Sequence, residues 1–276
     1  MKYSKSEIMS RAYKIPDLKF EDQNLTSFAG LGIFQPLMLG LEMKNRLWHC
    51  FRHLNLSRIF GHHIITLLLI VHLLLGYRRL RDLAYYQDDP MVKRLLGLNQ
   101  LPDPSTVSRA LSSLDDLSIE RVRALCRNLV IERLKKIAIY RVTLDFDGSV
   151  FSTQSRTTEG TAVGYNKKRK GARSYYPLFC TLAQTGQVFD VYHRPGNVHD
   201  SNGARAFILA CIAEMQRALP WLKIEVRMDS AFFSDAIVSA LDEKSIEFTV
   251  SVPFERFVEL KKRIEGRARW RALDAT

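Results

Sequence analysis

Little in this sequence offers a covalent or cofactor-bound route to function. Its four cysteines, Cys50, Cys126, Cys180 and Cys211, stand far apart, so neither a paired zinc-ligand set nor a disulfide framework can be read from them. All four have apolar neighbours along the chain, which predicts small core residues in a reducing compartment. There is no P-loop, dinucleotide fingerprint, nucleophile elbow or zinc ribbon, and no internal repeat or low-complexity tract. Met1-Lys2-Tyr3-Ser4-Lys5 leads into polar sequence, unlike a signal peptide. The most apolar run, Ile64–Leu75, is interrupted by His72 and falls well short of the ~20 residues a bilayer requires. It predicts a buried core helix and no membrane partner. Acid is also scarce: 29 Asp and Glu against 41 Lys and Arg leave a net charge of +12, which favours a polyanionic partner.

What is present can build a core, since 46% of the residues are hydrophobic. Residues 1–140 read as helical. Phe28–Leu56 is apolar with helical spacing, and Gly61 precedes the apolar run. Asp82–Leu98 carries Leu83, Tyr86, Val92, Leu95 and Leu96 around an interrupting Pro90. Asp103 is placed to cap a helix beginning at Pro104. A short helix ending at Gly97, a tight turn and this second helix resemble a helix-turn-helix, which would present Thr106, Ser108 and Arg109 to a groove or to phosphates. Ordinary helix packing explains the same pattern. A long helix follows, capped by Ser118 and closed by Lys135 and Lys136.

At residue 141 the period changes to two. Arg141–Asp147 puts Val142, Leu144 and Phe146 on one face and Thr143, Asp145 and Asp147 on the other. Strands at about Leu178–Ala183 and Val188–His193 are joined by a hairpin turn, Gln184-Thr185-Gly186-Gln187. Asp200 can cap a helix running to Pro220, and Ile224–Met228 reads as a strand. Phe232–Leu241 reads as a helix, Phe248–Val252 as a strand and Arg256–Ile264 as an exposed helix. The boundary predicts a helical region over 1–140 and a second domain over 141–276, in which the block from the first strand to Met228 reads β-β-β-α-β.

Two acidic strings end strands of this domain, Asp145-Phe146-Asp147-Gly148-Ser149 and Arg227-Met228-Asp229-Ser230-Ala231. Carboxylates brought to one cleft by a sheet make a site for Mg2+ or Mn2+, which take oxygen ligands. Two such ions can activate a hydroxyl and stabilise a leaving oxygen. Asp145 and Asp147 point the same way, so the strand does not choose between them, and both also suit an exposed strand face. Asp229 suits an open ligand or a helix cap. Between the first two strands, Tyr165-Asn166-Lys167-Lys168-Arg169-Lys170-Gly171-Ala172-Arg173-Ser174-Tyr175-Tyr176 sets five cations among aromatics. Such a loop can grip phosphates and brace bases, or be solvated, or serve as a localisation signal. His49 and His53 are spaced for a metal but lack a third ligand, and core or surface roles fit them better. His199 is a candidate for assisting proton movement, beside its simpler role in a turn.

In this order and spacing, six segments resemble the DDE transposases of bacterial insertion sequences, the group-1 type of the cut-and-paste superfamily. They are Leu101-Pro102-Asp103-Pro104-Ser105-Thr106-Val107-Ser108-Arg109, Leu144–Ser149, Gly164-Tyr165-Asn166, Ser174-Tyr175-Tyr176-Pro177-Leu178, Arg194-Pro195-Gly196-Asn197-Val198-His199-Asp200 and Arg227–Phe233. The resemblance implies an α/β ribonuclease H-like core, a mixed sheet with flanking helices, behind an all-α DNA-binding region. It implies an Asp-Asp-Glu triad holding magnesium, with water and then a 3′ hydroxyl attacking phosphodiesters without a covalent intermediate. The first acid fits Asp147 better than Asp145, and the second fits Asp229. The partner implied is double-stranded DNA, both the terminal inverted repeats of the element and the target, with a homodimer left open and a cytoplasmic, nucleoid-associated location. In such relatives the Glu lies well over a hundred residues beyond the second Asp. The chain ends 47 residues after Asp229, which predicts a C-terminal truncation, an incomplete core and impaired cleavage. The alternatives are a non-catalytic DNA-binding remnant or regulator of transposition, and a related nuclease using Glu265 as third ligand.

Overall fold

The computed structural model describes residues 25–54, 60–164, 166, 169–199 and 202–270. They form two compact units, divided between Leu114 and Asp115.

The first unit is helical. A 3-10 turn, Ala29–Ile33, precedes α1 (Phe34–Gly40), α2 (Met43–Phe51) and α3 (His62–Leu74). A 3-10 helix, Leu80–Tyr85, then leads to α4 (Pro90–Leu96) and α5 (Pro104–Ser112). α3 is the apolar run, and its Ile64, Ile65, Leu67, Leu68 and Val71 are buried, as befits a helix that is hydrophobic nearly all round. α2, α4 and α5 pack against it. Pro90 starts a helix instead of interrupting one: Asp89 caps α4 by accepting from the amides of Met91 and Val92 at 2.9 and 3.1 Å, and a proline at the first helical position forfeits no hydrogen bond. Asp103 occupies the cap position of α5, but its carboxylate accepts from the Thr106 hydroxyl at 3.4 Å and from no backbone amide of the helix. Among the described residues no helix is long and apolar enough to cross a membrane.

The second unit opens with α6 (Asp116–Ile137). Its cap is Asp115, which accepts from the Ser118 amide at 2.8 Å. Ser118, expected as the cap, lies one turn in and is buried. The sequence groups this helix with the N-terminal ones, yet it belongs to the sheet. Its Val130, Ile131 and Leu134 join the sheet's core, each contributing about 1.5–3 kcal/mol of burial.

The strands and helices that follow are β1 (Arg141–Gly148), β2 (Phe151–Ser152), β3 (Ala162–Val163), β4 (Arg173–Tyr175), β5 (Leu178–Leu182), β6 (Val188–Tyr192), α7 (Ala204–Ala218), β7 (Lys223–Met228), α8 (Asp235–Glu243), β8 (Glu247–Val250) and α9 (Val258–Glu265). The main sheet has the order β6-β5-β1-β7-β8. β6, β5 and β1 are antiparallel, whereas β7 and β8 run parallel to β1. Three antiparallel strands continued by two parallel ones, reached through helical crossovers, are the ribonuclease H-like arrangement. Val142, Leu144 and Phe146 of β1 are 0, 0 and 2% exposed and pack in one core with Phe207, Ile208, Cys211 and Ile212 of α7. Cys50, Cys180 and Cys211 are buried as expected, but Cys126 is exposed: apolar Leu125 precedes it and is buried, while its own position turns outward from α6.

A second, small sheet has the order β2-β4-β3. Its strands are two or three residues long and carry no readable period. It places Arg169 and Lys170 of the basic stretch between β3 and β4 of a hairpin.

Candidate active site

β1 and β7 lie side by side and parallel, with Arg141 opposite Lys223 and so on to Phe146 opposite Met228. Every such pair is 82 residues apart, as are Asp147 and Asp229. One step beyond the last pair, the same register therefore brings Asp147 and Asp229 to the carboxyl ends of neighbouring strands, whose spacing is about 4.8 Å. Both aspartates are exposed. Asp147 is opposite Phe179 on its other flank. Asp229 is extended (φ −82°, ψ 179°) and accepts from the Ala231 amide at 2.9 Å, capping the 3-10 turn Ser230–Phe232. A carboxylate has about four lone-pair positions, so one capping bond leaves it further acceptor capacity.

Asp145 is engaged differently. Arg227, its partner in register, donates from Nε and a terminal nitrogen to its two carboxylate oxygens at 2.7 and 2.6 Å. Such a fork is among the stronger protein hydrogen-bond geometries. Behind this pair, Glu225 accepts from Thr143 and Thr249 at 3.1 Å each and from Arg141 at 3.3 Å. Burial alone would raise the Glu225 carboxyl, but these donors outweigh it and hold it below the ordinary range. The face of β1 and β7 opposite the core is thus a charged lattice ending in Asp147 and Asp229.

The small sheet is tied to this same end. β2 begins three residues after Gly148, Phe151 packs on Phe179 with ring centroids 6.1 Å apart, and the Ser149 amide donates to Pro177 O at 3.1 Å. Gly164 and Gly196 let the hairpin and the 193–199 loop touch. A Cβ at Gly164 would fall 2.0 Å from Gly196 O, and one at Gly196 would fall 2.5 Å from Ser174 O. Arg194, only 2% exposed, donates to the carbonyls of Tyr176, His199 and Asn202 at 3.1, 3.2 and 2.9 Å. The sequence shows the place of Arg194 in a motif but not this staple, because a single buried arginine leaves no periodic signal.

The basic residues divide. Arg169 and Lys170 are exposed at the hairpin tip, whereas Tyr165, Lys167 and Lys168 lie outside the described residues, as does Asp200. Arg173 is not at the tip: it sits in β4 and gives its guanidinium to the Thr161 hydroxyl at 2.9 Å and to the Thr161 carbonyl, bracing the hairpin from within. In the first unit, Arg109 is exposed on α5 and donates to Thr106 at 3.2 Å. His49 rests its ring on Trp48, and His53 falls past the end of α2. Glu265 ends the exposed helix α9, its side chain 63% exposed and 3.8 Å from Lys261. Among the described residues no three His, Cys, Asp or Glu side chains stand close enough to hold a metal ion, so Glu265 does not complete a trio with Asp147 and Asp229. Those two carboxylates are hard oxygen donors, the donor type that Mg2+ and Mn2+ take.

Residues 11–270 match the family model described as transposase DDE domain group 1, and the chain belongs to that family. No curated protein matches it. Solved structures with some likeness include a Mos1 transposase paired-end complex with the left transposon end (12% identity, 75% of this chain and 67% of that one, TM-score 0.31). A piggyBac transposase synaptic complex with hairpin DNA gives 14%, 86%, 54% and 0.41. A Drosophila P element transposase strand transfer complex gives 12%, 83%, 50% and 0.37. These likenesses are low, and the family match carries the assignment.

Proposed function

We propose that this chain binds the end DNA of a bacterial insertion sequence and acts in metal-dependent phosphodiester hydrolysis and strand transfer, with Asp147 and Asp229 holding magnesium or manganese. The β1–β7 register, continued by one residue, is the observation that supports this choice of carboxylates. Asp145 is the poorer ligand because both its oxygens are held by Arg227. When bound, the cation supplies Lewis acidity to the phosphate and eases deprotonation of the attacking hydroxyl. Around it the protein contributes orientation. The capping bond fixes Asp229, the β1 ladder fixes Asp147, and the basic hairpin tip offers Arg169 and Lys170 to the DNA backbone.

One observation favours a second reading, a DNA-binding regulator without cleavage of its own: the described residues hold no third ligand in the cluster. Two measurements on the full chain separate these readings. Calorimetric Mn2+ titration should lose its signal in Asp147→Asn and in Asp229→Asn while duplex binding survives; an unchanged titration in both variants removes the metal assignment. Cleavage of linear DNA carrying element ends, with magnesium, then decides between enzyme and regulator.

A further inference from the structure

In the first unit a pile of aromatic rings runs from the core to solvent. At its base, Tyr86 and His72 are each 2% exposed. The Tyr86 hydroxyl donates to His72 Nδ1 at 2.5 Å, and His72 Nε2 donates to the Arg79 carbonyl at 3.1 Å. Tyr77 leans on both, with centroids 5.5 Å from Tyr86 and 5.6 Å from His72. Tyr85 stacks on Tyr77 at 5.7 Å and 20° between planes, and it is 73% exposed. The sequence between these rings, Tyr77-Arg78-Arg79-Leu80-Arg81, carries three exposed arginines. Their loop is rigid: His72 holds the Arg79 carbonyl from below, and the Arg79 amide donates to Asp82 at 3.3 Å. Acid is present too, since Asp82 lies 3.9 Å from Arg81, while Asp88 pairs with Lys93 at 3.4 Å.

We propose that this patch is a binding site for unpaired DNA, with one base stacking on Tyr85 and the flanking phosphates held by Arg78, Arg79 and Arg81. The inference rests on the reading of the chain as a DNA-binding protein and adds a ligand class to it. One face of Tyr85 is used by Tyr77, and its outward position suits one more flat ring as the next layer. Within a continuous duplex the base faces are covered by their neighbours, so such a layer requires a base at a frayed end or in a single strand. Aromatic platforms flanked by cations are the general solution for single-stranded nucleic acid. Pre-stacked rings on a pinned loop lose little freedom on binding, which favours affinity.

The test is fluorescence anisotropy of the full chain with a labelled short single-stranded oligonucleotide and with its blunt duplex. Tyr85→Ala should weaken single-strand binding by about 5- to 150-fold, the worth of one stacked base, and leave duplex binding within about two-fold. Tyr85→Phe, which keeps the ring, should bind as the parent does. Replacing Arg78, Arg79 and Arg81 together by Gln should lower the salt slope for the single strand by about 2, at about 0.7 per phosphate contact. Because Tyr85 and the arginines are exposed, circular dichroism should not change. Single-strand affinity that is unaltered in Tyr85→Ala, or lost equally in Tyr85→Phe, overturns the proposal while the wider DNA reading stands. An equal loss on duplex overturns the preference for unpaired bases. A parent chain that binds neither form removes both.

Discussion

Asp145 and Asp147 share a face of β1, and a charge cycle distinguishes their roles. If Asp145 serves Arg227 and not the cation, Asp145→Asn removes no ligand but unmasks a guanidinium. Two residues along a strand span about 7 Å. A unit charge at that distance from a dication, in water-like surroundings, is worth about 1.2 kcal/mol, and about 0.5 kcal/mol after screening at physiological salt. Mn2+ affinity should then fall by about two- to eight-fold. The charge-neutral double variant Asp145→Asn, Arg227→Gln should recover the parental affinity. Folding should survive in both, because Arg227 is 56% exposed and a pair of that kind contributes at most about 1 kcal/mol. Asp147→Asn removes a direct ligand in this scheme. Loss of an outer-sphere partner alone costs about 10- to 100-fold in metal affinity, so Asp147→Asn should cost about 100-fold or more. Calorimetric Mn2+ titrations at fixed ionic strength, repeated at high salt where the Asp145→Asn deficit should shrink, supply the numbers. A double variant as weak as Asp145→Asn, or an Asp147→Asn variant that binds like the parent, refutes the assignment.

Three shorter predictions concern the rest of the chain. Exchanging Arg169 and Lys170 for Gln should reduce the salt slope of duplex binding by about 1.8, at about 0.9 per phosphate contact; an unaltered slope means the hairpin tip does not touch the backbone. Gly164→Ala, whose Cβ would sit 2.0 Å from Gly196 O, should loosen the small sheet, so trypsin should cut at Arg169 and Lys170 faster while the main sheet melts as before. Burial, aided by the charge of nearby His53 and opposed by a hydrogen bond to Ala110, pushes the His62 imidazole below its ordinary value, and burial with Lys44 and His62 does the same for His63. Folding then favours the neutral rings, so this stability is fully present above about pH 6.5 and is lost as the pH falls through the lowered values. Chemical denaturation at about pH 7.5 and about pH 5 should show that loss, and replacing both histidines by Gln should flatten it.

How far the sequence carries is decided by the range of the interaction that fixes each feature. The alternation of Val142, Leu144 and Phe146 is local, and the strand and its buried face were legible from it. Nothing local says which strand lies beside β1, so the offset of 82 residues that joins it to β7 became visible only with the sheet. The same gap hid Arg227: its pairing with Asp145 is a cross-strand contact, and the strand pattern alone does not choose between two aspartates on one face. α6 reads like the helices before it yet packs on the sheet, because an apolar stripe announces that it will be buried but not against what. β2, β3 and β4 are too short for any period to emerge. Asp229 shows why competing readings of one residue need not exclude each other. Its side chain could be read as the cap of a helix over Phe232–Leu241 or as a ligand; the cap it makes, to the Ala231 amide, is of the 3-10 turn Ser230–Phe232, while Ser234 precedes the helix Asp235–Glu243. One accepted hydrogen bond leaves most of a carboxylate's acceptor capacity and holds the group in place. In the role proposed for Asp229 the cap orients the ligand, and at this strand end local turn chemistry and the long-range register act on the same residue.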